Sequence, residues 1–131
     1  MNSRTFRLNK LVRDKIVLHH HQWGGKNAVK YKALSGDKLT MALLQKLIEE
    51  ANEMKISNLS VGELVDLQEL VDALRVRLDV TKGQLAKRQA EKRRTNGGFK
   101  KGHFVDTVIL PANNHMAKYY AADPKRFPEI K

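Results

Sequence analysis

The chain has 131 residues, no cysteine, and 25 Lys/Arg against 14 Asp/Glu, a formal net charge of +11. That length allows one domain with a modest core and little for a second, and the lack of cysteine excludes disulfides and thiolate metal sites. There is no run of about 18 apolar residues and no signal-peptide pattern, so the expectation is a soluble, cytoplasmic protein without a membrane partner.

The charge is unevenly spread. Residues 1–48 hold 10 Lys/Arg and 2 Asp/Glu, residues 49–79 hold 3 and 8, and residues 80–131 hold 12 and 4. Basic flanks around an acidic centre suit a metal–phosphate substrate, with carboxylates for the cation and Lys/Arg for the phosphates. They suit nucleic acid equally, because basic charge supplies non-specific affinity for the phosphate backbone.

Residues 1–8 read as a loose arm. Asn9–Ile16 mixes apolar Leu11, Val12 and Ile16 with basic Lys10, Arg13 and Lys15, which predicts an amphipathic turn or short helix. His19-His20-His21 is a poor preformed metal site, because adjacent residues diverge on a helix and alternate on a strand. Trp23-Gly24-Gly25 signals a turn. The basic stretch Lys26–Lys32, with Val29 and Tyr31 interleaved, suits a short strand or a nucleotide-facing loop; a solvated loop anchored by Tyr31 is the blander alternative.

Ser35-Gly36-Asp37 opens a first long helix, with Ser35 or Asp37 as N-cap. Its apolar stripe is Leu43, Leu44, Leu47, Ile48, Ala51 and Met54. Glu50 projects at the stripe's edge and Glu53 about 60° further round on the same side. A break is predicted at Ile56–Leu59, with Asn58–Ser60 ending this helix and starting the next. A second helix then carries Leu64, Leu67, Leu70, Val71, Leu74 and Leu78 on its stripe, with Glu63 inside the edge and Asp66 about 60° beyond. If the two helices pack antiparallel, Glu50, Glu53, Glu63 and Asp66 converge. Each carboxylate pair at about 4 Å costs roughly 4 kcal/mol at an effective dielectric of 20. A hard divalent cation, Mg²⁺ or Mn²⁺, removes that repulsion. The competing reading is solvated surface acids, with Ser60 and Glu63 as a capping box.

Thr81-Lys82-Gly83-Gln84 is a second capping box, opening a third helix to about Thr95. Leu85, Ala86 and Ala90 are its only apolar residues, while Lys87, Arg88, Lys92, Arg93 and Arg94 make it basic. It reads as a phosphate- or nucleic-acid-facing element, or as a solvated helix ending at Asn96-Gly97 with a left-handed cap. Gly97–Gly102 is a loop lacking the Walker A spacing. Phe104–Leu110 is predicted as a short strand ended by Pro111. Asn113–Ala122 is predicted as a last short helix. Tyr119, Tyr120 and Phe127 are free to pack on the core or on a second subunit.

Three stretches, in order, resemble one protein family. Asn9-Lys10-Leu11-Val12-Arg13-Asp14-Lys15-Ile16, Glu49-Glu50-x-x-Glu53 with Glu63-x-x-Asp66, and Glu91-Lys92-Arg93-Arg94-Thr95-Asn96-Gly97-Gly98-Phe99 are similar to the all-α nucleotide pyrophosphohydrolases. This is the MazG-like group, and within it the phosphoribosyl-ATP pyrophosphohydrolase-like branch. The resemblance covers roughly residues 9–102. It implies hydrolysis of a nucleotide's α–β phosphoanhydride to monophosphate and pyrophosphate. The implied metal set is Glu50, Glu53, Glu63 and Asp66 holding Mg²⁺ or Mn²⁺, with Glu69 auxiliary; Glu69/Asp72 is the other spacing that completes the set. Glu50 and Glu53 are the implied catalytic residues, with Glu53 as general base. Lys10, Arg13, Lys15, Lys92 and Arg93 are the implied phosphate contacts. A homo-oligomer, dimer or higher, is implied as well.

The expectation is therefore an all-α, single-domain protein: a MazG-like helical bundle with its helical core at about 37–96. A basic segment, 1–34, precedes the core, and a loop and tail, 97–131, follow it, with short irregular or β pieces in both. The alternative function is a non-catalytic basic helical protein that binds nucleic acid or another acidic partner.

Overall fold

The computed structural model describes residues 2–131 and is all-α. Its helices are α1 (Ile16–Gly24), α2 (Gly36–Ser57), α3 (Val61–Arg77), α4 (Lys82–Asn96) and α5 (His115–Ala121). The chain divides into two compact units, Met1–Arg94 and Thr95–Lys131. No helix among the described residues is long and apolar enough to cross a membrane.

In the first unit α2 and α3 pack against each other. They are antiparallel, since Arg77 in the last turn of α3 donates from Nε to Thr40 Oγ1 in the first turns of α2, at 3.0 Å. The reversal takes three residues, 58–60. These are the residues expected to end one helix and start the next, Asn58–Ser60, while Ile56 and Ser57, also counted in the expected break, complete the last turn of α2. Asn58 caps that helix in the left-handed conformation (φ 68°), and its N–H donates to the Met54 carbonyl. Leu59 is also left-handed (φ 51°), a conformation that costs a non-glycine residue about 1–2 kcal/mol. Its N–H bonds the same Met54 carbonyl at 3.1 Å, which offsets part of that cost.

Both capping boxes are present, in different degrees. Thr81 and Gln84 form the reciprocal pair, with Gln84 N–H to Thr81 Oγ1 at 3.1 Å and Thr81 N–H to Gln84 Oε1 at 2.9 Å. Ser60 Oγ accepts from the Glu63 N–H at 3.2 Å, but the Glu63 carboxylate turns toward α2 instead of back to Ser60. Helix α4 ends where Gly97 adopts φ 79°, as its sequence requires.

Helix α1 was not among the predicted elements: Asn9–Arg13 stays irregular and the helix begins only at Ile16. Its histidines brace a tryptophan. The His19 and His20 rings lie 6.1 and 5.3 Å from the Trp23 ring, and His20 Nδ1 bonds the Ile16 carbonyl at 2.8 Å. The turn after it uses Gly25 at φ 89°. Lys26–Lys32 is a loop, and Tyr31 stays exposed instead of anchoring it.

The predicted strand at Phe104–Leu110 does not form. A single extended segment needs a neighbouring edge to hydrogen-bond with, and no strand occurs among the described residues. The second unit is instead gathered by aromatic packing. Tyr120 and Phe127 stack edge-on at 4.9 Å, Tyr119 lies 5.6 Å from Tyr120, and the Arg126 guanidinium covers Phe127 at 4.8 Å. Asn114 caps α5 by accepting from the Met116 N–H.

Candidate functional site

The α2–α3 pair has two unlike flanks, which follow from helix geometry. On α2, Leu43 and Glu50 are buried and mark the line facing α3. At about 100° per residue, Lys46, Glu49 and Glu53 lie to one side of that line, and Met41, Leu44 and Ile48 to the other. On α3 the half-buried line is Leu67, Leu70 and Leu74. Asp66 and Glu69 lie to one side of it, Leu64 and Val71 to the other. In an antiparallel pair, offsets of the same sense fall on the same flank. One flank is therefore acidic, and the opposite one mixes Leu44, Ile48, Leu64 and Val71 with Lys55, Gln68 and Arg75.

Glu50 is the one buried charged side chain among the described residues, with 7% of its surface exposed. A carboxylate taken out of water is costly unless it is paired. Its partner is Lys46, one turn earlier, at 3.5 Å; the same ammonium lies 3.9 Å from Glu49. Glu53, one turn on, is exposed. Glu63 is held at the hairpin end, where the Ser57 hydroxyl lies 2.8 and 2.7 Å from its two carboxylate oxygens.

Asp66 is engaged from outside the hairpin. Arg13, in the irregular segment before α1, donates from Nη2 to Asp66 Oδ1 and forms an ion pair with it. The N-terminal basic stretch and the acidic helix pair, 53 residues apart in sequence, thus meet directly. Lys10 and Lys15 are exposed beside Arg13 in sequence, Lys15 as the N-cap residue of α1. Lys92 and Arg93 sit on α4, which is exposed along its whole length and packs against no other helix among the described residues.

The four carboxylates are not gathered as a ligand set. Among the described residues no three acidic or histidine side chains are grouped to hold one ion. Lys46 and Arg13 already compensate Glu50 and Asp66, and Glu63 is turned to Ser57. For these carboxylates to share a divalent cation, Arg13 and Lys46 would have to release Asp66 and Glu50, and Glu63 would have to turn from Ser57. Glu69 is exposed on α3. Asp72 belongs to another contact, with Arg75 Nε 3.6 Å from its carboxylate. Arg75 in turn closes the end of α3 through Nη1 to the Val80 carbonyl at 2.7 Å. Nε of Arg75 is buried without a hydrogen bond, so the Asp72 carboxylate is its electrostatic compensation.

Two participants escaped the reading of the sequence, Lys46 and Ser57. The i, i+4 spacing of Lys46 and Glu50 was a usable signal; nothing local marked Ser57, whose role depends on where the chain reverses. No family model matches the chain, and neither the curated proteins nor the solved structures give a match.

Proposed function

We propose that this chain is an all-α nucleotide pyrophosphohydrolase that hydrolyses the α–β phosphoanhydride of a nucleoside triphosphate or related nucleotide. One water is consumed, one bridging P–O bond breaks, and nucleoside monophosphate and pyrophosphate leave. The observation that carries the reading is the Arg13–Asp66 contact, which joins the Lys10–Lys15 stretch to the acidic helix pair beside a buried Glu50. Basic side chains next to carboxylates are what a polyphosphate substrate requires. Arg13, Lys10 and Lys15 would meet phosphate oxygens, with Lys92 and Arg93 as further phosphate contacts. Glu53, exposed on the acidic flank, would orient the attacking water as general base.

Use of Mg²⁺ or Mn²⁺ belongs to the same proposal. Glu50, Glu53, Glu63 and Asp66 are the residues that would hold the ion, with Glu69 alongside. Binding requires Arg13 and Lys46 to release Asp66 and Glu50, and a phosphate that draws Arg13 away would free Asp66. The test is pyrophosphate release from a panel of nucleoside triphosphates, with Mg²⁺ and with EDTA, by wild type and Glu50→Gln. Turnover that needs the metal, and falls at least about 100-fold in Glu50→Gln with circular dichroism unchanged, supports the proposal. Full activity in Glu50→Gln would remove that residue from the site.

A second reading is favoured by one observation: α4 presents Lys82, Lys87, Arg88, Lys92, Arg93 and Arg94 on a helix with no packing partner. It is a non-catalytic protein that binds nucleic acid through that helix. Affinity for nucleic acid that drops steeply with salt, with no turnover of any nucleotide, would favour it over the first.

A further inference from the structure

We propose that the basic segment before the hairpin, residues 4–32, is a binding surface for single-stranded nucleic acid, with Trp23 and Tyr31 stacking on bases and Lys26, Lys30 and Lys32 meeting phosphates. Trp23 is the starting point. An indole is mostly buried in a folded chain, yet Trp23 is 75% exposed. It is exposed and also held. The His19 and His20 rings lie 6.1 and 5.3 Å from it, the second edge-on, and His20 is itself fixed by the bond from Nδ1 to the Ile16 carbonyl. The chain then leaves α1 through a turn so close that a Cβ on Gly24 would lie 2.7 Å from the Ala28 Cβ. A ring fixed before its ligand arrives loses less freedom on binding. Tyr31, on the loop that follows, is a second exposed ring, at 63%.

Charge selects the ligand. Residues 4–32 hold eight Lys/Arg and a single acid, Asp14, and all eight cations are exposed. Among the described residues only Arg13 of the eight is in an ion pair. Lys26, Lys30 and Lys32 therefore keep their charge available on the same loop as Tyr31 and next in sequence to Trp23. Cations interleaved with exposed rings match a ligand whose phosphates alternate with flat bases. A duplex hides the faces of its bases in the stack, so only an unpaired strand offers both groups at once. The surface differs in element and in chemistry from the charge-only contact that α4 would make. It stands whether or not the acidic flank is catalytic.

Trp23 is the only tryptophan, so the fluorescence of the full chain reports on it alone. The test titrates the full chain, in EDTA, with oligothymidylate of about 16 nucleotides, with a duplex of the same length and with thymidine triphosphate. Trp23 fluorescence and the anisotropy of a labelled strand are followed. The single strand is expected to quench Trp23 and to bind with an affinity that falls as salt rises. Trp23→Ala is expected to weaken binding about 5- to 150-fold with the salt dependence unchanged, and Trp23→Phe to keep most of the affinity. Lys30→Gln is expected to lower the slope of log affinity against log salt by about 0.7. Absence of binding overturns the proposal. Binding that leaves Trp23 fluorescence unchanged lies elsewhere, as on α4, and overturns it too, as does a Trp23→Ala protein that binds like wild type. A duplex that quenches as strongly as the strand reduces the surface to charge alone. Triphosphate that quenches at the same concentration reduces it to a mononucleotide site; either result overturns the proposal. If circular dichroism shows that Trp23→Ala does not fold, wild-type quenching and Trp23→Phe still decide.

Discussion

Helices α2 and α4 are both long and well delimited, yet only one of them is packed. Helix α2 has a broad apolar stripe and meets α3, where it buries Leu43 and Glu50. Helix α4 has a complete capping box at its start and a left-handed glycine after its end, and every one of its residues is exposed. Local hydrogen bonding sets where a helix begins and stops. Apolar periodicity decides whether it has somewhere to go. The difference places the chain's acidic chemistry on its packed pair and much of its basic charge on an unpacked one.

The largest expected effect tests that contrast directly. Leu43→Ala should destabilise the chain by about 2–4 kcal/mol in urea unfolding, through lost burial and the cavity left between α2 and α3. Leu85→Ala, on exposed α4, should stay within about 0.5 kcal/mol of wild type. An equal loss from both substitutions would show that α4 is packed in solution. The next effect is local. Thr81→Ala removes one half of the capping box and should cost about 1 kcal/mol. It should be read as faster amide exchange confined to the first turns of α4, with α2 and α3 unchanged.

The smallest effect concerns the contact that joins the two motifs. Arg13 and Asp66 are both about half exposed, and an exposed ion pair contributes roughly 0–1 kcal/mol. A double-mutant cycle with Arg13→Gln and Asp66→Asn should return a coupling in that range, shrinking as salt rises. A coupling well above it, insensitive to salt, would mean that the pair is covered in the assembled protein. The proposed hydrolysis sharpens the comparison from the other side. Arg13→Gln should impair turnover far more than it impairs stability, because a phosphate contact matters in the transition state and a surface pair barely matters to folding.

Much of the hairpin was legible in the residues themselves. The stripe of α2 located Glu50 at its edge, and that residue is buried. Ser60 and Thr81 announced the starts of α3 and α4, and Gly97 the end of α4. These features depend on neighbours three or four residues apart, whose geometry a helix dictates. The failures share the opposite property. Phe104–Leu110 has the composition of a strand, but a strand exists only with a partner, and none occurs among the described residues. The convergence of Glu50, Glu53, Glu63 and Asp66 followed from projecting two helices separately. Side-chain partners intervened: Lys46, Ser57 and Arg13 each draw one acid away.

By itself the sequence determined the all-α class, the starts of α2, α3 and α4, the acidic and apolar sides of α2 and α3, and the imbalance of charge along the chain. These are local consequences of 3.6-residue periodicity, capping chemistry and composition. Only the tertiary structure decided that Arg13 docks on Asp66, that α4 stands unpacked, and that Ile48 and Leu64 on the hairpin are left bare. Each of those depends on which distant surfaces meet, and the free energy of such meetings comes from burial summed over many residues, which no short stretch of sequence contains.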